Sequence, residues 1–393
     1  MDKKSKYILP LIVFSQFAGT SLWFVGNAIL PDIRLQLNLG NTALGNITSI
    51  VQFGFIAGTL VFALLAIADR FSPSKVFFVS SLVAAAANLC IVWLVKDAAG
   101  LMTFRFITGF FLAGIYPVGM KIASDWYEKG LGKALGYLVG ALVLGTAFPH
   151  LLKGSAYHFS WQKIILFTSL FASLGGLLIV LFVHDGPFRK QGQEFHPKKL
   201  ANIFRSKDFR AAAFGYFGHM WELYTFWAFV PVMLAINISS NASNINVSLW
   251  SFIIIAAGSL SCVAGGYISQ KSGSAKVAFY SLLISGICCL LSFLLLKSST
   301  TIFLLFMLLW GIAVIADSPQ FSALVAQTAP PESKGTALTF VTSIGFAITI
   351  GSIQLLNWVL HNVDFTNKVF IILSIGPAFG LVSLYRLVKK RNG

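Results

Sequence analysis

Residues 162–208 read QKIILFTSLFASLGGLLIVLFVH and then DGPFRKQGQEFHPKKLANIFRSKD. The first part, 162–184, is apolar apart from Lys163 near its start and His184 at its end. It has the length of a helix crossing the ~30 Å hydrocarbon core of a bilayer, which takes ~20 residues. The second part, 185–208, is polar and basic and too long for a tight turn. Working outward from this junction, apolar runs of similar length recur on both sides. They fall at roughly 7–30, 43–66, 75–95, 100–124 and 131–152 before it. After it they fall at 209–235, 247–269, 276–296, 301–325, 335–360 and 367–387. With 162–184 this makes twelve predicted spans, six on each side of the polar segment. The domain reading is a first half over 1–185, a linker over 186–208 and a second half over 209–393. The opening MDKKSKYILPLIVF has the look of a signal peptide, but its apolar run continues to about Leu30 without a small-residue cleavage site. It reads as a retained first span.

Composition agrees. Of 393 residues, 56 % are hydrophobic and 11 % charged, where soluble domains carry roughly 25 % charge. The net charge is +16. Nucleic-acid binding would need the basic residues clustered on a polar folded face, whereas here they sit between apolar runs, so no nucleic-acid partner is expected. With the N-terminus placed inside, twenty-two Lys and Arg fall on the inner side. Six fall on the outer side: Arg34, Lys96, Lys153, Lys163, Lys297 and Lys368. The positive-inside rule then predicts both termini cytoplasmic. Cys90, Cys262, Cys288 and Cys289 all lie in apolar runs without metal-ligand spacing, and they read as small buried hydrophobes. Asn-x-Ser triplets at Asn237, Asn241 and Asn246 are expected in one outer loop.

The halves repeat one another. An offset of 201 lays Asp69-Arg70-Phe71-Ser72-Pro73-Ser74-Lys75 on Gln270-Lys271-Ser272-Gly273-Ser274-Ala275-Lys276. An offset of 203 lays Gly132-Lys133-Ala134-Leu135 on Gly335-Thr336-Ala337-Leu338. Two six-span halves of equal orientation are parallel repeats. Gly132, Gly136 and Gly140 form a small-residue ladder, expected to allow close helix contact.

Twelve spans, a basic central loop and the Asp-Arg…Lys turn after span 2 resemble the major facilitator superfamily over nearly the whole chain. Arg105-x-x-x-Gly109 resembles that family's span-4 motif. The family's loop signature has Gly four residues before its acid and three after. Leu65 and Ser72 stand there in the first copy; the second keeps Gly266 and Gly273 but has Gln270 for the acid. The Gly-Pro motif of proton-coupled drug exporters is missing from span 5, GALVLGTAFPHLL. The resemblance implies an all-α membrane protein of two six-helix repeats. It also implies a secondary transporter that moves a small organic solute by alternating access in the cell inner membrane, as a monomer within the lipid bilayer. The proton gradient would supply the energy, with no cofactor. Without the exporter motif, symport into the cell is the expectation. The alternative is a proton-coupled antiporter exporting a metabolite, drug or siderophore. An enzyme is not expected: no Ser, His and Asp set falls on adjacent spans, and no Gly-rich phosphate loop occurs.

Ionisable groups inside hydrocarbon cost ~2.5–3.5 kcal/mol on insertion scales, so they are functional candidates by default. Arg105 lies in span 4, His219 and Glu222 in span 7, and Asp317 in span 10. By the resemblance, spans 1, 4, 7 and 10 line a central cavity. Glu222 sits about 16 Å into span 7 at 1.5 Å per residue, with His219 one turn earlier on the same face. Proton coupling, substrate contact and a structural hydrogen bond all fit Glu222; His219 and Asp317 are grouped with it as proton-coupling candidates. Arg105 can hold a carboxylate or phosphate with its planar fork, or pair with Asp317 or Glu222. Gln16, Asn27, Trp221, Tyr224 and Gln320 complete the substrate-binding candidates. Most other aromatics in these spans, Trp23 and Trp310 included, read as packing or lipid-facing. Pro117 and Pro319 mark possible bends in spans 4 and 10. Asp69, Arg70, Lys75, Lys121 and Asp125 cluster at the inner end; by the resemblance, Asp69 and Arg70 form a charge lock that gates transport. The solute's charge stays open among anion, cation and zwitterion.

Overall fold

Backbone amides in hydrocarbon must be satisfied within their own segment, so each apolar run has to become a helix. The computed structural model describes residues 5–127, 131–157, 159–189, 202–330, 333–363 and 368–390, and among them no strand occurs. Twelve helices there are long and apolar enough to cross a membrane. Span 1 is made of α1 (Ser5–Thr20) and α2 (Val25–Gln36), and span 2 is α3 (Ala43–Leu64). The short α4 (Ile67–Arg70) precedes α5 (Pro73–Leu94), which is span 3. Span 4 comprises α6 (Ala98–Leu112) and α7 (Tyr116–Trp126); α8 (Leu131–Gly154) and α9 (Trp161–Phe182) follow. The remaining spans begin with α10 (Lys207–Asn241), α11 (Val247–Ser272) and α12 (Ser274–Leu295). Span 10 is α13 (Thr300–Ala316) with α14 (Ser318–Thr328), and span 11 is α15 (Lys334–Asn362). A 3-10 turn, Val369–Ser374, leads into α16 (Ile375–Lys390).

The chain forms two compact units, Met1–Glu194 and Phe195–Gly393. Lys190, Lys198 and Lys199 of the basic linker lie outside the described residues, as do Lys3, Lys4, Lys129 and Arg391 of the orientation count. Linker residues 186–189 are held by the first unit: the Phe188 amide donates to the Asp125 carbonyl at 3.0 Å.

Two spans outrun their predicted ends. Span 1 continues to Gln36 through Pro31 and Asp32, because Lys153 on α8 meets the Asp32 carboxylate at that end. Span 7 continues to Asn241. There the Asn237 amide donates to the carbonyls of Leu296 and Ser298, both at 2.9 Å, and Asn241 donates to Ser298 at 2.9 Å. The Asn-x-Ser triplets therefore do not share a loop. Asn237 is fully buried on α10, Asn241 ends that helix, and Asn246 caps α11 by accepting from the Leu249 amide at 3.0 Å.

Spans 2 and 4 pack backbone to backbone. A Cβ on Gly54 would lie 2.2 Å from the Phe106 carbonyl oxygen, and one on Gly109 would lie 2.2 Å from that of Val51. Gly109→Ala is accordingly expected to force α3 and α6 apart and cost ~1–3 kcal/mol, the usual overpacking range. The expected ladder in span 5 differs at its first member, since a Cβ on Gly132 meets nothing within 4 Å. Close contact with span 1 comes instead at Gly145, whose Cβ would lie 2.5 Å from the Phe17 carbonyl oxygen. Thermal unfolding in detergent checks the pair: Gly109→Ala lowers the midpoint and Gly132→Ala leaves it in place.

Candidate functional site

Three of the spans are discontinuous. Spans 4 and 10 break at residues 113–115 and at Asp317, in each case just before a proline at the second position of the following helix, Pro117 or Pro319. Proline cannot donate to the preceding turn and its ring crowds it, so the ladder parts there. Span 1 breaks over residues 21–24, Ser-Leu-Trp-Phe, with neither Pro nor Gly. Thr20 and Ser21 turn their hydroxyls back onto the carbonyls of Gln16 and Ala18 at 2.8 and 2.7 Å, which competes with the backbone ladder.

Arg105 holds that break. It is fully buried on α6, donating from Nη1 to the Leu22 carbonyl at 3.1 Å and from Nη2 to the Trp23 carbonyl. Nη1 also meets Asn88 Oδ1 at 3.4 Å, and the Asn88 amide passes the network on to Ser169 at 2.9 Å. Both terminal nitrogens of the fork are thus engaged within the first unit. A buried guanidinium on backbone carbonyls is one of the two ways a membrane interior accommodates the charge.

The second unit carries the buried acids. Trp310 on α13 donates to Glu222 Oε1 at 2.7 Å, Cys289 on α12 approaches the same oxygen at 3.2 Å, and Ser285 donates to Oε2 at 2.9 Å. His219 Nδ1 lies 2.9 Å from Asp317 Oδ1, with both side chains almost completely buried. The His219 ring packs against Phe321, centroids 5.5 Å apart. His219 and Glu222 leave α10 one turn apart yet serve two different clusters. Of the Glu222 partners on α12, one turn apart, Ser285 escaped the sequence reading and Cys289 was read only as a buried hydrophobe, since each is a small side chain in an apolar run. Trp310 is fully buried, not lipid-facing.

The other candidates fall in several places. The Asn27 amide donates to Thr48 Oγ1 at 2.8 Å, joining α2 to α3. Gln16 is fully buried and faces α7: a Cβ on Gly119 would lie 2.1 Å from its Oε1. Trp221 turns away from the Glu222 cluster; its indole donates to the Ile372 carbonyl at 3.0 Å. As a substrate-binding candidate Trp221 therefore stands apart from Glu222, because that side of α10 packs on span 12. Tyr224 is buried against Trp227 and Phe346, with centroids 5.2 and 5.1 Å away. Gln320 is buried on α14 beside Gly265. Lys121 bridges Asp69 at 2.8 Å and Asp125 at 3.8 Å, while Arg70 and Lys75 are exposed. Arg189 binds the Asp185 carboxylate and the carbonyls of Asp69 and Phe71, which ties the linker's start to the turn after span 2. Among the described residues no group of three or more His, Cys, Asp or Glu is placed to hold a metal ion.

Comparison with known proteins places this architecture. The family model described as Major Facilitator Superfamily matches residues 12–353. An uncharacterised protein of Campylobacter jejuni is 23 % identical over 294 residues, covering 72 % of this chain and 87 % of its own. A galacturonate transporter of Dickeya chrysanthemi is 26 % identical over 195 residues, 44 % of this chain and 56 % of that protein. In structure, the human organic anion transporter MFSD10 (TETRAN) superposes with a TM-score of 0.71 at 15 % identity, over 97 % of this chain and 99 % of that one. The nucleoside transporter NupG gives 0.70 at 15 % identity, over 96 % and 98 %. At such identities the two structures speak for the fold alone. With its family model matching residues 12–353, this multi-pass membrane protein belongs to the major facilitator superfamily and is a transporter of small solutes rather than an enzyme.

Proposed function

We propose that the protein is a proton-coupled symporter bringing a small organic solute into the cell across the inner membrane. Both termini are cytoplasmic in this reading. It works as a monomer in the bilayer, without cofactor, drawing on the proton gradient. The observation that carries the coupling is the buried His219–Asp317 pair at the break of span 10, with Glu222 one turn along α10 from His219. Among the described residues neither acid pairs with Lys or Arg. Asp, Glu and His side chains buried inside a membrane are the residue types that form proton relays in transporters. The galacturonate transporter among the relatives supports a small organic solute. The Asp69–Lys121 pair supports a gating role for the turn after span 2.

Uptake into proteoliposomes tests this. A gradient acidic outside should drive accumulation, a protonophore should abolish it, and a reversed gradient should empty the vesicles. Accumulation indifferent to the protonophore overturns the coupling.

A further inference from the structure

The two units use the same device at the breaks of spans 4 and 10, but fill it differently. An offset of 202 lays Pro117 on Pro319, and each is the second residue of an 11-residue helix, α7 or α14. In the second unit a carboxylate belonging to the chain stands at the amino end of α14: Asp317, reached from span 7 by His219 at 2.9 Å. In the first unit Ile115 takes the position of Asp317, and the first turn of α7 has no acidic residue. The residue reaching α7 from span 1 is Gln16, which an offset of 203 lays on His219.

Gln16 is fully buried, and neither atom of its amide has a hydrogen-bond partner among the described residues. An unmet buried amide has given up water without a replacement partner, which leaves its donor available to a ligand. The amide abuts the first turn of α7 at Gly119, where the helix offers the positive end of its dipole. Half-helices broken inside a membrane point this end at anionic groups of substrates. Among the described residues of the unit, the charge buried completely is the cation Arg105, whose two terminal nitrogens are already engaged. Its described acids, Asp32, Asp69, Asp97, Asp125 and Asp185, all lie at the ends of spans.

We propose that the amino end of α7 together with Gln16 is the subsite that receives the carboxylate of the transported solute. The solute thus supplies in the first unit the acid that Asp317 supplies in the second. This rests on the transporter reading and adds the substrate class, an organic carboxylate. The Gln16 amide donates to one carboxylate oxygen and the helix end stabilises the charge.

The test uses the purified full chain in detergent and matched pairs of probes: galacturonate with galactose, gluconate with sorbitol, benzoate with benzyl alcohol. Thermal stabilisation is expected from carboxylate members and not from their neutral partners. Gln16→Glu, which places a carboxylate of the chain at this helix end, should weaken the best carboxylate at least tenfold. Gln16→Leu should weaken it as well, without the added charge. The unliganded unfolding temperature is the check on folding. Stabilisation by neutral members alone, by no member, or equally in wild type and both variants overturns the subsite. Carboxylate binding that persists while gradient-driven uptake fails would remove the coupling and leave the subsite standing. Gradient-driven uptake of a neutral solute would do the reverse.

Discussion

Asp317→Asn is expected to reduce gradient-driven accumulation at least tenfold, to the level of vesicles without a gradient, while exchange of internal for external solute survives. Asn has nearly the shape of Asp and keeps an oxygen facing His219 Nδ1, 2.9 Å away in the native pair. It removes the titratable proton while leaving the shape of the pair in place, so the change does not by itself unfold the protein. Glu222→Gln makes the companion measurement. The new amide oxygen can keep the Trp310 and Cys289 contacts at Oε1, and the Ser285 hydroxyl can rotate to accept where it now donates. The fold should therefore tolerate either change. Full pH-driven accumulation in one variant would exclude that acid as the proton carrier, and full accumulation in both would exclude the proposed mechanism.

The second large effect is at Arg105. Replacing it with Leu strands the carbonyls of Leu22 and Trp23 and Asn88 Oδ1, each at ~1–3 kcal/mol for an unmet buried group. The unfolding temperature should fall by roughly 5 °C or more for a unit of this size, and transport should fall with it. Arg105→Lys should recover only part of the loss, because a compact ammonium cannot span two carbonyls and Asn88 as the planar fork does. An Arg105→Leu protein that unfolds at the wild-type temperature would mean that the span-1 break stands without its clamp.

The limits of the sequence show at these residues. Span count and span type follow from one physical constraint: twenty apolar residues in hydrocarbon must satisfy their own amides, so the pattern of runs is already the pattern of helices. The breaks in spans 4 and 10 were legible as well, since Pro117 and Pro319 act on their own chain neighbours. The break in span 1 was not. It has no breaker residue, and its stabilising partner Arg105 is about eighty positions away. The deep ionisable residues announced themselves by their cost in a membrane, but their pairings did not. His219 reaches Asp317 on another span, Glu222 draws its donors from spans 9 and 10, and Arg105 binds backbone oxygens that carry no sequence signature. Trp221, adjacent to Glu222 in sequence, is turned onto span 12 by the 100° step of the helix. Burial in lipid is a property of composition and can be read along one dimension. Which donor meets which acceptor depends on how helices rotate and cross, and only the folded structure decides that.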